Sequence, residues 1–585
     1  MNEESSAQIK GMDELLYRQR HSAAHIMAEA VLEMFPEAKY AIGPPIDNGF
    51  YYDFDLPRPL TPEDLERIDG LMRRSIAADK PFVRSDAPKD EAKRVFADQP
   101  YKLELIEGIS DERVGICRHG AFTDLCGYPH VESTGKVGAF KLTNVAGAYW
   151  RGDEHRPMLQ RIYGVMFPTD AELADYLHRL EEAERRDHRR LGKELELFTT
   201  SELIGSGLPS LLPKGATIRR LLEEYIQGKE RAQGYQHVYT PILGKVELYK
   251  MSGHWEHYKD LMYPPMQLEH EELVLRPMNC PHHILIYQND LHSYRDLPVR
   301  IGEMGTMYRY EKSGVVGGLS RVRAINLNDA HIFCTPEQIK SEFAGVMRLV
   351  EQVYKDLGIT EYSYRLSLRD PADTEKYVQN DAMWELGERV LREALDELGL
   401  PYYEALGEAA FYGPKLDIQV RDVLLREETM STIQVDFHLP EQFGLEYIGE
   451  DGQPHRPVIL HRGVIGATER MMAYLIELYA GAFPVWLAPV QATLIPIADR
   501  HVEYCEGVAG RLREAGFRVS IDSRGERMQS KIRDAQLQKV PYMLIAGDRD
   551  IEAGAVSVRT RTGEDLGGVT VDALIARLRD ESRLS

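Results

Sequence analysis

The chain has 585 residues, of which 43% are apolar and 9% aromatic, with 47 glycines besides. That composition excludes disordered and fibrous proteins, and at roughly 150 residues per domain the length asks for about four compact units. With 71 basic residues against 93 acidic ones the net charge is −22, which excludes general, charge-driven nucleic-acid binding and leaves only local contacts.

The first twenty residues contain several acids and no apolar run, which argues against a secretion signal. Cys117, Cys126, Cys280, Cys334 and Cys505 are sparse and lack CxxC spacing, so a reducing, cytoplasmic setting is expected. His21 and His25, in HSAAHIMAEAVLEMF, share one helix face; alone, two ordinary part-exposed histidines are the plainer reading. Cys126 and His130, in DLCGYPHV, repeat the spacing, and two such pairs fit either a hydrolytic or a metal-binding pocket. Thr169–Glu196 has apolar residues at helical spacing on a charged background, which predicts one long exposed helix bridging two domains. In RIGEMGTMYRYEKSGVVGGLSRVRAINLNDAHIF, a strand carrying Arg309 and Glu311 meets a turn with Gly314, Gly317 and Gly318, then Arg321 and Arg323. The expected antiparallel hairpin carries guanidinium groups that suit phosphate oxygens, although solvated surface arginines fit the spacing equally well.

HRGVIGATERMMAYLIELYAGAFP predicts a strand end, a glycine turn and an amphipathic helix with Arg470 in its first turns. The uncharged stretch Leu478–Ala498 holds Pro484, Pro489 and Pro496, so it reads as a helix end, a linker and a strand rather than a membrane span. From Pro484 onward 15 basic residues balance 15 acidic ones, which places the whole excess charge before that point. VQATLIPIA, His501–Glu514, FRVSID and VPYMLIAG then alternate strand and helix, predicting a small α/β domain with a mostly parallel sheet.

VYTPIL and the two arginine-bearing segments, in that order, resemble the three signature motifs of class II aminoacyl-tRNA synthetases. With HSAAH, AIGPPIDNGFYYDFDL, VAGAYWRGD, RPMNCPHH, YRDLPVRIGEMG, NDAHIFCT, FYGPKLDI, WLAPVQ and VRTRTGEDLG, the chain is similar to bacterial threonyl-tRNA synthetases from about residue 10 to the C-terminus. The resemblance implies an α+β multidomain protein: an editing domain at 1–172, a linker helix at 173–195, a class II catalytic domain on an antiparallel sheet at 196–483, and an α/β anticodon-binding domain at 484–585. The small ubiquitin-like domain that opens many members has no counterpart before His21. The implied activity is ATP-dependent attachment of L-threonine to tRNA(Thr) through threonyl-adenylate, with hydrolysis of mischarged seryl-tRNA. A cytoplasmic homodimer formed around Pro241 is implied, with one Zn(2+) per subunit and Mg(2+) accompanying ATP.

By the same resemblance Cys280, His331 and His461 are zinc ligands, and Asp329, Tyr412 and Met278 line the threonine site. Arg309, Glu311, Arg321 and Arg470 bind ATP, Lys415 lies near the carboxylate and α-phosphate, and His254 relays a proton. His21, His25, Tyr52, Lys102, Asp124, Cys126 and His130 form the editing pocket, without a metal. Arg559 and Arg561 are candidates for anticodon contact. The selection problem makes physical sense of two sites. Valine lacks the hydroxyl that a metal can hold, whereas serine lacks only a methyl, worth about 10- to 200-fold. Five strings depart from the family pattern: His282 stands where glycine is common in NCPHH, and NLNDAH, CGYPH, Glu428-Thr429 and GATER differ likewise. These predict a divergent, inhibitor-tolerant copy. A free-standing editing hydrolase or a non-catalytic RNA sensor would not need the retained arginines and ligands.

Overall fold

A computed structural model describes residues 13–584, and the chain divides into two compact units, Met1–Glu181 and Glu182–Ser585. In the first unit, helix Glu14–Met34 starts where the Asp13 carboxylate accepts a hydrogen bond from Leu16 N at 3.1 Å, a side-chain cap for an otherwise orphan donor. Arg20 to Ala28 are all buried. More than two helical turns are therefore interior on every side, and His21 and His25 are core residues rather than part-exposed ones. Ala23, Ile26, Met27 and Val31 pack with Phe50, Phe54, Phe140, Ile162 and Met166 from the antiparallel strands Gly49–Asp55, Ala139–Tyr149 and Met158–Phe167. A separate antiparallel sheet, Val83–Pro88, Arg113–His119 and Phe122–Leu125, delivers Asp124 and, just beyond its end, Cys126.

The segment expected as one long helix is two. Asp170–Arg186 is helical, then Asp187 leaves the helical region (φ −48°, ψ 120°) and caps a second helix, His188–Glu194, by accepting from Arg189 N at 2.7 Å. His188 is buried with Nδ1 at 2.7 Å from Glu477, and Leu191 joins the apolar core. A capping aspartate and a buried anchor outweigh the continuous helical periodicity.

The second unit is built on eight strands in the order Gln236–His237, Val299–Tyr308, Ala324–Cys334, Val458–Gly463, Glu427–Asp436, Lys415–Arg421, Tyr362–Leu368, Tyr402–Leu406. The outermost pairing on each edge is parallel and the others antiparallel. Side chains alternate across the sheet. Ala330, Ile332, Leu460, Ile433, Leu416 and Leu366 face one way, into a core shared with helices Pro213–Ala232, Ile339–Asp356 and Thr468–Leu478. Each fully buried Leu or Ile contributes about 1.5–3 kcal/mol, and a one-residue slip would turn all of them outward, so the register is firmly set. The opposite face is thereby free to be polar.

From residue 484 a five-stranded sheet runs Val519–Ile521, Ala492–Pro496, Tyr542–Ala546, Ala555–Thr560, Asp565–Thr570. Its first two pairings are parallel and its last two antiparallel, so the expected mostly parallel sheet is mixed. The connections are the cause: Ala546 and Ala555 are joined by only 547–554, and Thr560 and Asp565 by the tight turn 561–564, with Gly563 at φ 93°, both shorter than the crossover that parallel neighbours need. Among the described residues, no helix is long and apolar enough to cross a membrane.

Candidate active sites

On the polar face of the large sheet, register alone lines up Ile301, His331, His461, Gln434, Lys415 and Ser367, each the cross-strand partner of the next. Two residues along lie Glu303 beside Asp329 and Arg365 beside Asp417. Neighbours in such a row sit about 5 Å apart. His331 and His461 therefore meet, their ring centroids 4.6 Å apart. Cys280, the first residue of helix Cys280–Gln288, completes the group, whose ligand atoms all lie within 4.8 Å of one another.

A second layer of side chains orients the group. His461 Nε2 is 2.8 Å from Asp436 Oδ2, which leaves Nδ1 for the cluster. His283 Nε2 is 3.0 Å from Glu303 and its Nδ1 is 2.7 Å from His331 Nδ1. If His283 donates to the carboxylate, its Nδ1 must accept from His331, and the lone pair on His331 Nε2 is free. One thiol and two imidazoles with their outer nitrogens engaged form the donor set of an open zinc centre, so these residues fit the implied metal. Burial pushes His331 far below, and the Cys280 thiol far above, their ordinary pKa values.

The other expected residues gather round this row. Asn279 Nδ2 donates to Asp329 at 3.0 Å, Tyr412 stacks on His461 at 4.9 Å and donates to Gln434, and Lys415 is 2.9 Å from the fully buried Asp417. Met278 packs beside Cys280 and Ile284. His254 is buried, with Nε2 at 3.5 Å from Cys280 Sγ and Nδ1 at 2.8 Å from Ser252 Oγ. Arg309 and Glu311 lie just past the end of strand Val299–Tyr308 rather than within it, because the ladder closes with Arg309 N donating to Arg323 O at 3.0 Å. Arg309 Nε is buried without a hydrogen-bond partner among the described residues. Arg321 pairs with Glu311 at 2.9 Å, and Arg470 with Glu428 at 3.1 Å.

Sequence reasoning missed His283, Glu303 and Asp436. Only the i+3 step from Cys280 and the cross-strand register reveal them. His282, flagged as a departure, looks away from the cluster toward Tyr249, with ring centroids 6.3 Å apart. In NLNDAH, Asn326 bonds Glu469 and Asn328 bonds Glu230 on the helix-covered face, whereas Leu327 shares the face of Asp329 and His331.

In the first unit His21, His25, Cys126 and His130 also bring their ligand atoms within 4.8 Å. Cys126 Sγ lies 3.1 Å from His21 Nε2 and 3.3 Å from His130 Nε2, and donates to Tyr128 O at 3.4 Å. Val131 N donates to Ser22 Oγ at 3.2 Å, so the Ser22 hydroxyl is free to donate to His130 Nδ1, 3.0 Å away. Tyr52 OH donates to Asp124 at 2.5 Å, Lys102 bridges to both of them, and His25 Nε2 is 3.4 Å from the same carboxylate. The Nδ1 atoms of His21 and His25 are buried without a partner among the described residues. Burial, then Lys102, brings His21 down to about 3; burial, then His21, brings His130 to about 2; burial lifts Cys126 to about 12. At neutral pH the pocket offers uncharged imidazoles with free lone pairs and an uncharged thiol.

Of the two anticodon candidates, Arg559 is half-exposed and pairs with Asp565 at 3.1 Å. Arg561 instead donates to Phe483 O at 2.6 Å and Lys539 O at 3.4 Å, so its guanidinium is committed to backbone carbonyls rather than to a solvated strand face.

Comparison with known proteins agrees with this architecture. Residues 263–479 match the tRNA synthetase class II core domain (G, H, P, S and T), 491–581 the anticodon binding domain, and 114–163 the threonyl and alanyl tRNA synthetase second additional domain. The threonine–tRNA ligase of Geobacillus kaustophilus is 56% identical over 98% of this chain and 88% of its own length. Threonine–tRNA ligase 1 of Bacillus subtilis is 52% identical over 100% and 92%. A crystal structure of the RNA binding domain of threonyl-tRNA synthetase from Cryptosporidium parvum superposes with a TM-score of 0.65 at 37% identity, over 68% of this chain and 99% of that one. The chain belongs to the threonine–tRNA ligase family of class II aminoacyl-tRNA synthetases.

Proposed function

We propose that the chain joins L-threonine to ATP as threonyl-adenylate, passes it to tRNA(Thr), and hydrolyses seryl-tRNA(Thr) in its first unit. The observation that carries this reading is the transverse row of His331, His461, Gln434 and Lys415 with Cys280 at its end. Zinc held by Cys280, His331 and His461, one ion per subunit, would supply a Lewis acid that holds the amine and hydroxyl of the amino acid. Asp329 accepts from the substrate hydroxyl, and Tyr412 and Met278 close the pocket. Lys415, held by Asp417, steers the carboxylate toward the α-phosphate. Arg309 neutralises charge developing there, and Arg321 and Arg470 take the terminal phosphates, whose charge the magnesium accompanying ATP would help to offset. Glu311 holds the adenine end, and His254 relays the proton of the ribose hydroxyl in the transfer step.

In the editing pocket, His25 Nδ1 or His21 Nδ1 takes a proton from water while Lys102 and Asp124 fix Tyr52. The pocket works without a metal. We assign editing to 1–172, the connection to 173–195, catalysis to 196–483 and anticodon binding to 484–585, with Arg559 as the anticodon contact. A homodimer is supported by the VYTPIL segment, where Tyr239 is 90% exposed and Ile242 and Leu243 are partly so. Five free, buried cysteines support a cytoplasmic setting. Leu327 and Thr429 on the substrate side support a divergent copy with altered inhibitor response; equal inhibition of this chain and a common-motif relative by a threonine-site inhibitor would remove that part. Threonine-dependent ATP–pyrophosphate exchange tests the whole. Robust exchange is expected, and none in the presence of zinc and magnesium rejects the reading.

A further inference from the structure

We propose that Glu428 competes with the ATP triphosphate for Arg470 and thereby sets how tightly this chain holds ATP. The inference rests on the reading of Arg470 and Arg321 as ligands of the terminal phosphates. Each of these arginines is held by a carboxylate: Arg321 Nε and Nη2 lie 3.1 and 2.9 Å from Glu311 Oε2, and Arg470 Nε lies 3.1 Å from Glu428 Oε1. Arg470 also donates to Ser320 O at 3.2 Å and Thr429 O at 3.4 Å. Those carbonyls fix its direction without cancelling its charge. The positive charge left for a phosphate is therefore what Glu428 leaves.

Glu428 stands on strand Glu427–Asp436 opposite Val420, on the helix-covered face, and reaches Arg470 from a cavity of about 320 Å3 that it lines with Asp422 and Glu477. Glu428 reaches Arg470 at Nε, so a phosphate meeting the remaining guanidinium nitrogens bears the repulsion of that carboxylate even where it does not displace it. Glu311 serves the adenine end, but Glu428 has no other assigned role, so its charge is the removable one. Burial raises its carboxyl above the ordinary range against the pull of Arg470, consistent with a carboxylate held at some cost. A part-exposed pair is worth up to about fivefold in an equilibrium constant, and the repulsion of like charges adds to that.

The test is calorimetric titration of the full chain with the magnesium complex of a non-hydrolysable ATP analogue, for the parent, Glu428→Gln, Glu428→Asp and Arg470→Gln. Glu428→Gln is expected to bind roughly three- to tenfold tighter, a direction that structural damage does not produce. Glu428→Asp, which keeps the charge, stays near the parent. Unchanged binding by Glu428→Gln overturns the proposal, and so does weaker binding, which would make the carboxylate a partner of the nucleotide's metal. If Arg470→Gln binds as well as the parent, the assignment of Arg470 itself fails, and the proposal falls with it.

Discussion

The chain holds two buried clusters of cysteine and histidine, and they differ in what stands behind the rings. In the second unit the outer nitrogens of His461 and His331 are engaged by Asp436 and by the His283–Glu303 pair, so both rings present a lone pair to one point with Cys280. In the first unit the ordering groups are Ser22, Tyr128 and the Lys102–Asp124–Tyr52 set, while the Nδ1 atoms of His21 and His25 have no partner among the described residues. Similar donor sets are thus ordered for different chemistry. Carboxylate-backed imidazoles suit a cation, and unpaired neutral imidazoles suit the handling of a proton.

Separating the two clusters by substitution should give the largest effect. Cys280→Ser is expected to lower threonine-dependent pyrophosphate exchange by at least about 100-fold and leave seryl-tRNA deacylation nearly intact; His25→Ala should do the reverse, since losing a positioned base costs about 10²–10⁴. A single variant that lowers both equally would break the distinction. Dialysis against a zinc chelator sharpens it: exchange should vanish and return with added zinc, while deacylation persists throughout. A smaller version is Asp436→Asn, expected to weaken zinc binding about tenfold, read by competition with a chromophoric chelator.

Acid bears on the buried rings of the first unit as it does on His254 and His331 of the second, which burial likewise holds low. His21 and His130, held down to about 3 and about 2, stay neutral in the fold but take protons in the unfolded chain below about 6.5. The unfolded state then binds more protons, so stability falls as the pH drops, by up to about 1.4 kcal/mol per ring for each unit below that value. Melting followed by circular dichroism between pH 7.5 and 5.5 should show this loss, while deacylation per folded molecule stays flat. The smallest contrast lies in the last 102 residues from Pro484. Arg561→Ala should cost about 1–3 kcal/mol of stability with little change in tRNA affinity, and Arg559→Ala should lower tRNA affinity at low salt with little change in stability.

Residues whose chemistry is carried by a local string were legible in the sequence. HSAAH, NCPHH, NDAH and the arginine segments each name their own site once the family resemblance is recognised. His331 and His461 were harder, being 130 positions apart and joined only by strand register. Their supports were invisible for the same reason: Glu303 is the partner of Asp329 across one strand pair, and Asp436 follows from another. Periodicity misled at Asp187, where one side-chain cap ends a helix that the pattern would continue. It misled again in the last domain, where the alternation of strand and helix predicts a mostly parallel sheet and the last two pairings are antiparallel. The spacing of charges likewise said nothing of Glu428, whose partner Arg470 lies 42 positions on.

The central claim is that the Cys280–His331–His461 face selects an amino acid by its hydroxyl and leaves the last methyl to a second site. Pyrophosphate exchange measured side by side for threonine, serine and valine tests it most directly. The expected kcat/KM for serine is roughly 10- to 200-fold below threonine and that for valine at least about 10⁴-fold below. Valine activated as well as serine, or no exchange with any of the three, would contradict it.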